Sequence, residues 1–237
     1  MLVPGSLIAY WVSSNTLRNF NGKKVSDVMI TREGMATGDN DRFLRLWFEV
    51  GYDKIYFTAT DFINAFYTGK KWFPYNKGGS YRKWYGNNEY IVNWENDGKE
   101  IKTNIDIDTG RTRSHNYNGK YAFIEGLTWS AISSGVFAIR YCPKGFMFDS
   151  KGAKGFVKDN ENIYELAGLL NSTVTQHYLA FLAPTIDVKV GDIIQIPYIT
   201  INKYEDIDET VNLCVLDSKK DWDSFETSWD FKKHPLI

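Results

Sequence analysis

The period of the apolar side chains changes near residue 160, and that change fixes the class of fold. Over residues 160–183, Ile163, Leu166, Leu170, Val174, Tyr178 and Phe181 recur at spacings of three and four. This is one face of a single amphipathic helix. Asn160 is placed to cap it and Pro184 to stop it. Before that point the apolar runs are short and broken by turn residues. Leu44, Leu46, Phe48 and Val50 alternate with Arg45 and Glu49, the pattern of a half-buried strand over 44–50. Residues 55–59 (IYFTA) read as its partner across Gly51-Tyr52-Asp53. Residues 89–94 (EYIVNW) and 99–103 (KEIKT) flank Asn96-Asp97-Gly98, a hairpin signal. Residues 134–141, 145–149 and 188–198 read as further strands, and 13–20, capped by Ser13 or Ser14, and 61–68 as short helices.

Strands mixed irregularly with helices predict an α+β fold. Its body is a mixed, mostly antiparallel β domain with a long amphipathic helix, followed by a helical acidic segment. From Glu205 to Asp230 nine acids face only Lys219 and Lys220. The expected division is therefore 1–202 and 203–237. The acidic segment would repel DNA, and is expected to pack on another part of a larger chain or to stay solvated.

Composition excludes several classes. The net charge of −1 argues against a histone-like binder but leaves local patches open. Cys142 and Cys214 form no CxxC arrangement, so neither a disulfide framework nor a zinc ribbon is expected. His115, His177 and His234 are scattered without ligand spacing. The stretch MLVPGSLIAYWVSS lacks the basic start of a signal peptide. No apolar run approaches the roughly 20 residues a bilayer requires. A cytoplasmic protein with no membrane partner is expected. Adenine methylation needs a [DNS]-P-P-[YF] loop, and the six prolines of this chain are nowhere adjacent. Neither a Gly-rich cofactor turn nor a GxxxxGK[ST] phosphate loop is present.

The chemistry that is present is basic and aromatic. In residues 70–88 (KKWFPYNKGGSYRKWYGNN), Lys70, Lys71, Lys77, Arg82 and Lys83 occur without an acid. Trp72, Phe73, Tyr75, Tyr81, Trp84 and Tyr85 interleave with them. Lysines neutralise phosphates, arginine grips guanine with two hydrogen bonds, and asparagine does the same to adenine. On this reading Lys70, Lys71, Lys77 and Lys83 meet phosphates. Arg82, Asn87 and Asn88 meet base edges, while Trp84 and Tyr85 brace the hairpin or touch the groove. All of them should converge on one outward face. The alternative is a hairpin packed on its own sheet. A second segment, GMATGDNDRF (34–43), could cradle a phosphate on its backbone, with Thr37, Asn40 and Arg42 positioning the duplex. It reads equally as a polar connector. Arg111, Arg113 and Lys120 around His115, and Lys151, Lys154 and Lys158 in DSKGAKGFVKD, lengthen the basic surface or are solvated loops.

The runs PGSLIAYWVS, GMATGDNDRFLRLWFEV, KWFPYNKGGSYRKWYGNNEYIVNWENDG, EGLTWSAISSGVFAIRY and DWDSFETSWDF together resemble one family. It is the target-recognition region of adenine-specific DNA methyltransferases of the phage-exclusion (BREX) type, similar also to type IIG restriction–methylation fusions. The segment ELAGLLNSTVTQHYLAFLAPTIDVKVGDIIQIPY resembles the closing element of type I restriction specificity subunits, which implies a fold similar to their recognition domains. The family's catalytic half carries the S-adenosylmethionine pocket and an Asn-Pro-Pro-Tyr loop, and neither motif is in this sequence. The resemblance thus implies a fragment of a restriction-modification or phage-defence methylase, without a catalytic residue, metal or cofactor of its own. It implies double-stranded DNA and the parent's catalytic domain as partners, and proteins of a defence system as further ones. A carbohydrate- or protein-interaction module using exposed rings is the alternative.

Overall fold

The computed structural model describes residues 12–132, 136–199 and 205–237. Most of the PGSLIAYWVS run, the expected boundary near 203, and residues 133–135 of the strand expected at 134–141 lie outside them. In chain order the elements are α1 (Ser14–Asn19), α2 (Val25–Val28), β1 (Met29–Arg32), α3 (Asn40–Phe43), β2 (Leu44–Leu46), α4 (Phe62–Tyr67), β3 (Trp72–Asn76), β4 (Tyr90–Asn93), α5 (Glu95–Lys102) and β5 (Gly126–Trp129). They continue with β6 (Ile139–Cys142), β7 (Met147–Phe148), β8 (Lys154–Val157), α6 (Ile163–Leu170), α7 (Thr173–Leu182), α8 (Val190–Ile193) and α9 (Glu205–Asp223). The fold is α+β, with two four-stranded sheets among the described residues.

The first sheet has the order β1-β8-β5-β6 and is antiparallel throughout. Its central strand β5 is buried along its whole length. It packs with α2, α6, α7 and α8 around Val28, Leu127, Trp129, Leu166, Leu170, Tyr178 and Ile193. The second sheet has the order β2-β4-β3-β7, and only β3 with β7 is parallel. Its core holds Phe43, Phe73, Tyr75, Val92, Trp94, Ile101 and Phe123. Pro74 sits inside β3 where the strand changes partner, between a parallel bridge of Trp72 to Ile55 and the pairing of Tyr75 and Asn76 with β7. A missing N–H is tolerated in such a gap.

Several elements depart from the sequence pattern for visible reasons. The strand expected at 44–50 ends at Leu46, because the Glu49 carboxylate accepts the Leu46 N–H at 2.6 Å and folds Trp47–Glu49 into a 3₁₀ turn. Residues 55–59 form no strand beyond the single Ile55 bridge. Asn96, Asp97 and Gly98 do adopt positive φ, but they lead into helix and not into a returning strand. Gly98 lies against the buried Trp94 ring, where a Cβ would come within 2.6 Å of the indole, so packing on Trp94 decides the outcome. Residues 188–198 carry the short helix α8 in place of a strand.

The long helix is two helices. The cap is Asn162, whose side chain accepts the N–H groups of Tyr164 and Glu165, while Asn160 stands outside with φ 67°. The break comes at Asn171-Ser172. The Asn171 side chain donates to the Ile139 carbonyl and accepts the Ile139 N–H, both at 3.0 Å. It therefore acts as a one-residue strand on β6, and Ser172 starts α7 by capping Thr175. Helix α7 ends at Leu182, with Ala183 as its C-cap directly before Pro184, as expected.

Candidate nucleic-acid interface

Four segments that are far apart in sequence meet at one end of the second sheet. Strand β3 ends at Asn76, and its backbone carbonyl accepts the Asp149 N–H at 2.8 Å. The loop after β1 returns beside β7, with the Met35 N–H donating to the Phe148 carbonyl at 2.8 Å. The Tyr75 hydroxyl fastens this junction by donating to the Met35 carbonyl at 2.6 Å, 3.2 Å from the Asp149 carboxylate. Burial, with that carboxylate beside it, pushes the Tyr75 hydroxyl well above the usual range, so it remains a donor. Next along the loop, Ala36 and His115 exchange both backbone hydrogen bonds at 3.1 Å. Gly38 follows at φ 76°, so close to Arg113 that a Cβ would lie 2.6 Å from the arginine's own Cβ.

The result is an open cavity of about 430 Å³ lined by Thr37, Asn40, Lys77, Asp149, Ser150 and Lys151, among others. Its walls are pre-set by their own bonds. The Thr37 hydroxyl donates to the Asn40 side-chain oxygen at 2.7 Å, which leaves both amide N–H donors of Asn40 for another partner. The Asp39 carboxylate accepts the Arg42 N–H at 3.1 Å and closes the turn. Asp149 accepts the Lys151 N–H at 2.7 Å, and this aims the 149–152 loop. The Lys77 ammonium stands 5.6 Å from the centre of the Tyr90 ring, and Lys151 is exposed. The cavity thus offers two lysines and the Asn40 amide beside the Asp39 and Asp149 carboxylates, and its cations and amide match phosphate oxygens and base edges.

The remaining candidates are distributed differently. Lys70 donates to the Asp53 carbonyl. Lys71 pairs with Glu95 at 3.2 Å and stands 3.9 Å from Glu100, which also faces Arg42 at 3.7 Å. Arg113 is held by Asp106 at 3.0 Å, and Arg111 is exposed. Residues 82–88 belong to the scaffold. Arg82 pairs with Asp221 at 2.9 Å and covers the Trp222 ring. Lys83 lies over the Trp84 ring, and the Trp84 backbone pairs with β6. Tyr85 is buried with Val215 and Trp222, and burial pushes its hydroxyl up to about 12. Asn87 and Asn88 are buried as well, and Asn87 donates to the Ser80 carbonyl.

The expected single outward face is therefore divided. An acid-free run acquires its acids in space, from Glu95, Glu100 and Asp221, and the acidic C-terminal helix rests on part of it. Of the weaker basic segment, Lys151 joins the cavity, whereas Lys154 is fully buried and Lys158 donates to the Ser26 carbonyl. Asp149 and Ser150 received no weight from sequence. Their only signal was a glycine-rich polar loop, DSKG, directly after a short strand. Among the described residues no three His, Cys, Asp or Glu side chains are grouped to hold a metal, and no helix is long and apolar enough to cross a membrane.

No known protein-family profile matches the chain. Individual proteins do. The chain is 45% identical, over 99% of its length, to the adenine-specific methyltransferase PglX of Lacticaseibacillus casei (strain Zhang), and covers 20% of that protein. It is 36% identical, again over 99% of its length, to the adenine-specific methyltransferase BrxX of Escherichia coli O9:H4 (strain HS), and covers 18% of it. The resemblance to adenine-specific methyltransferases read from the sequence thus holds along the whole chain. The chain spans about a fifth of the length of these relatives.

Proposed function

We propose that this chain is the DNA-recognition part of a BREX-type, adenine-specific methyltransferase, and that the cavity between Asn40, Lys77 and Lys151 receives the duplex. One observation carries the reading. Loops 36–40 and 113–115, the end of β3 and Lys151 were each marked as polar or basic by sequence, and they lie together on one framework. Lys77 and Lys151 bind backbone phosphates, while Asn40 and Thr37 reach a base edge or sugar. Methyl transfer and the S-adenosylmethionine that supplies the methyl group belong to the portion of the methyltransferase outside this chain. The lack of adjacent prolines supports that division. Adenine must leave the base stack to be methylated, so the recognition part holds the duplex in register while the catalytic part takes the base.

Duplex binding measured against salt concentration tests the proposal. Lys77→Ala/Lys151→Ala should weaken binding to every sequence and flatten the log–log salt slope by about two units. Asn40→Ala should leave the slope in place and relax preference at one position, at a cost of about 1–3 kcal/mol. An unchanged slope in the double variant would remove the cavity from the interface.

A further inference from the structure

A second cavity, sharing no residue with the first, lies between the loop after β3, the start of β6 and the segment after α7. It encloses about 300 Å³. Tyr81, Arg82, Ser130, Arg140 and Thr185 contribute its polar groups, Phe137 and its neighbours form an apolar wall, and no carboxylate lines it among the described residues.

Arg140 is the anomaly. It is 1% exposed, yet no carboxylate lies within 4.0 Å of it among the described residues. Its Nη2 donates to the Ser130 hydroxyl at 3.3 Å, and its Nε has no hydrogen-bond partner among the described residues. Ser130 is itself fixed, donating to the Gly79 carbonyl at 2.8 Å. Burial draws the guanidinium down to about 10, with Cys142 and Glu89 acting against that and Arg82 with it, so it stays charged at neutral pH. A buried cation that no carboxylate contacts is costly, even with Glu89 acting on it from a distance, and an anion seated beside it offsets part of that cost. The second guanidinium, Arg82, is anchored to Asp221 through Nη1 only, which leaves its other N–H groups. Two planar forks suit phosphate oxygens, and the apolar wall suits a ring.

We infer that this cavity binds a phosphorylated nucleoside, its phosphate between Arg82 and Arg140 and its base against Phe137. The phosphate comes either from a free mononucleotide or from DNA. Calorimetric titration of the purified protein with adenosine monophosphate, with inorganic phosphate in parallel, tests this. Saturable binding of the nucleotide, weakened tenfold or more by Arg140→Gln, is expected. Val136→Trp fills the cavity from its exposed side and should abolish binding even where the Arg140 variant fails to fold. Competition assigns the source: if duplex DNA displaces the nucleotide, the phosphate is a DNA phosphate, and if it does not, the ligand is free. No saturable binding at millimolar nucleotide, or binding unaffected by Val136→Trp, overturns the inference. Binding of inorganic phosphate alone overturns the nucleoside half of it.

Discussion

Lys77 and Arg82 belong to the same acid-free run, yet Lys77 lines the open cavity at the strand ends while Arg82 is paired with Asp221 and stacked on Trp222, with only part of its guanidinium left to the second cavity. Between them the chain leaves the sheet and passes under the C-terminal helix. Strand β3 is held by pairing on both sides, and Lys77 directly after it lines the open cavity. Residues 82–88 are held by α9 and β6, and Arg82, Trp84, Tyr85 and Asn87 each contact the packed chain. Identical chemistry in sequence therefore yields an open polar edge in one place and a structural seam in the other. What differs is the surface each half packs against.

The sharpest way to break this comparison is to cut the seam. Trp222 is buried against Tyr85 and under Arg82, and Trp222→Ala should cost about 3–5 kcal/mol in chemical denaturation. A loss under 1 kcal/mol would show that α9 does not hold the 82–88 loop. Asn171→Ala removes both side-chain bonds to Ile139 and leaves that backbone pair without them, at about 2 kcal/mol. If the loss is negligible, the break between α6 and α7 has another cause.

Two smaller effects sharpen the comparison. The Tyr85 hydroxyl has a folded-state pKa raised above its unfolded value near 10, to about 12. Its contribution is complete below pH 10 and lost as pH rises toward 12. Tyr85→Phe should flatten the fall in stability across that window, measured by denaturation at several pH values. Lys83→Ala, on the seam side, should change the salt slope of DNA binding by less than half a unit, in contrast to the Lys77/Lys151 pair. Equal slopes for the two sides would erase the distinction.

Much of the fold was legible because its signals are local. The Ser13 cap, the helix over 61–68, the strand at 90–93 and the stop before Pro184 each depend on residues within a turn of one another. The cavity was legible in pieces: Thr37, Asn40, Lys77 and Lys151 were each visible, but not their meeting. Where reading failed, a distant partner had intervened. Ile139 breaks the long helix from 32 positions away. Trp94 turns the Asn96-Asp97-Gly98 signal into helix, and Asp221 reaches Arg82 from 139 positions away.

By itself the sequence determined the α+β class, the local caps and stops, and the kind of chemistry each loop carries, since these follow from side-chain period and short-range hydrogen bonding. Only the tertiary structure decided which cations remain open to a ligand. That choice depends on which acids and rings the packed chain brings within a few ångströms, and no spacing along the chain encodes those distances.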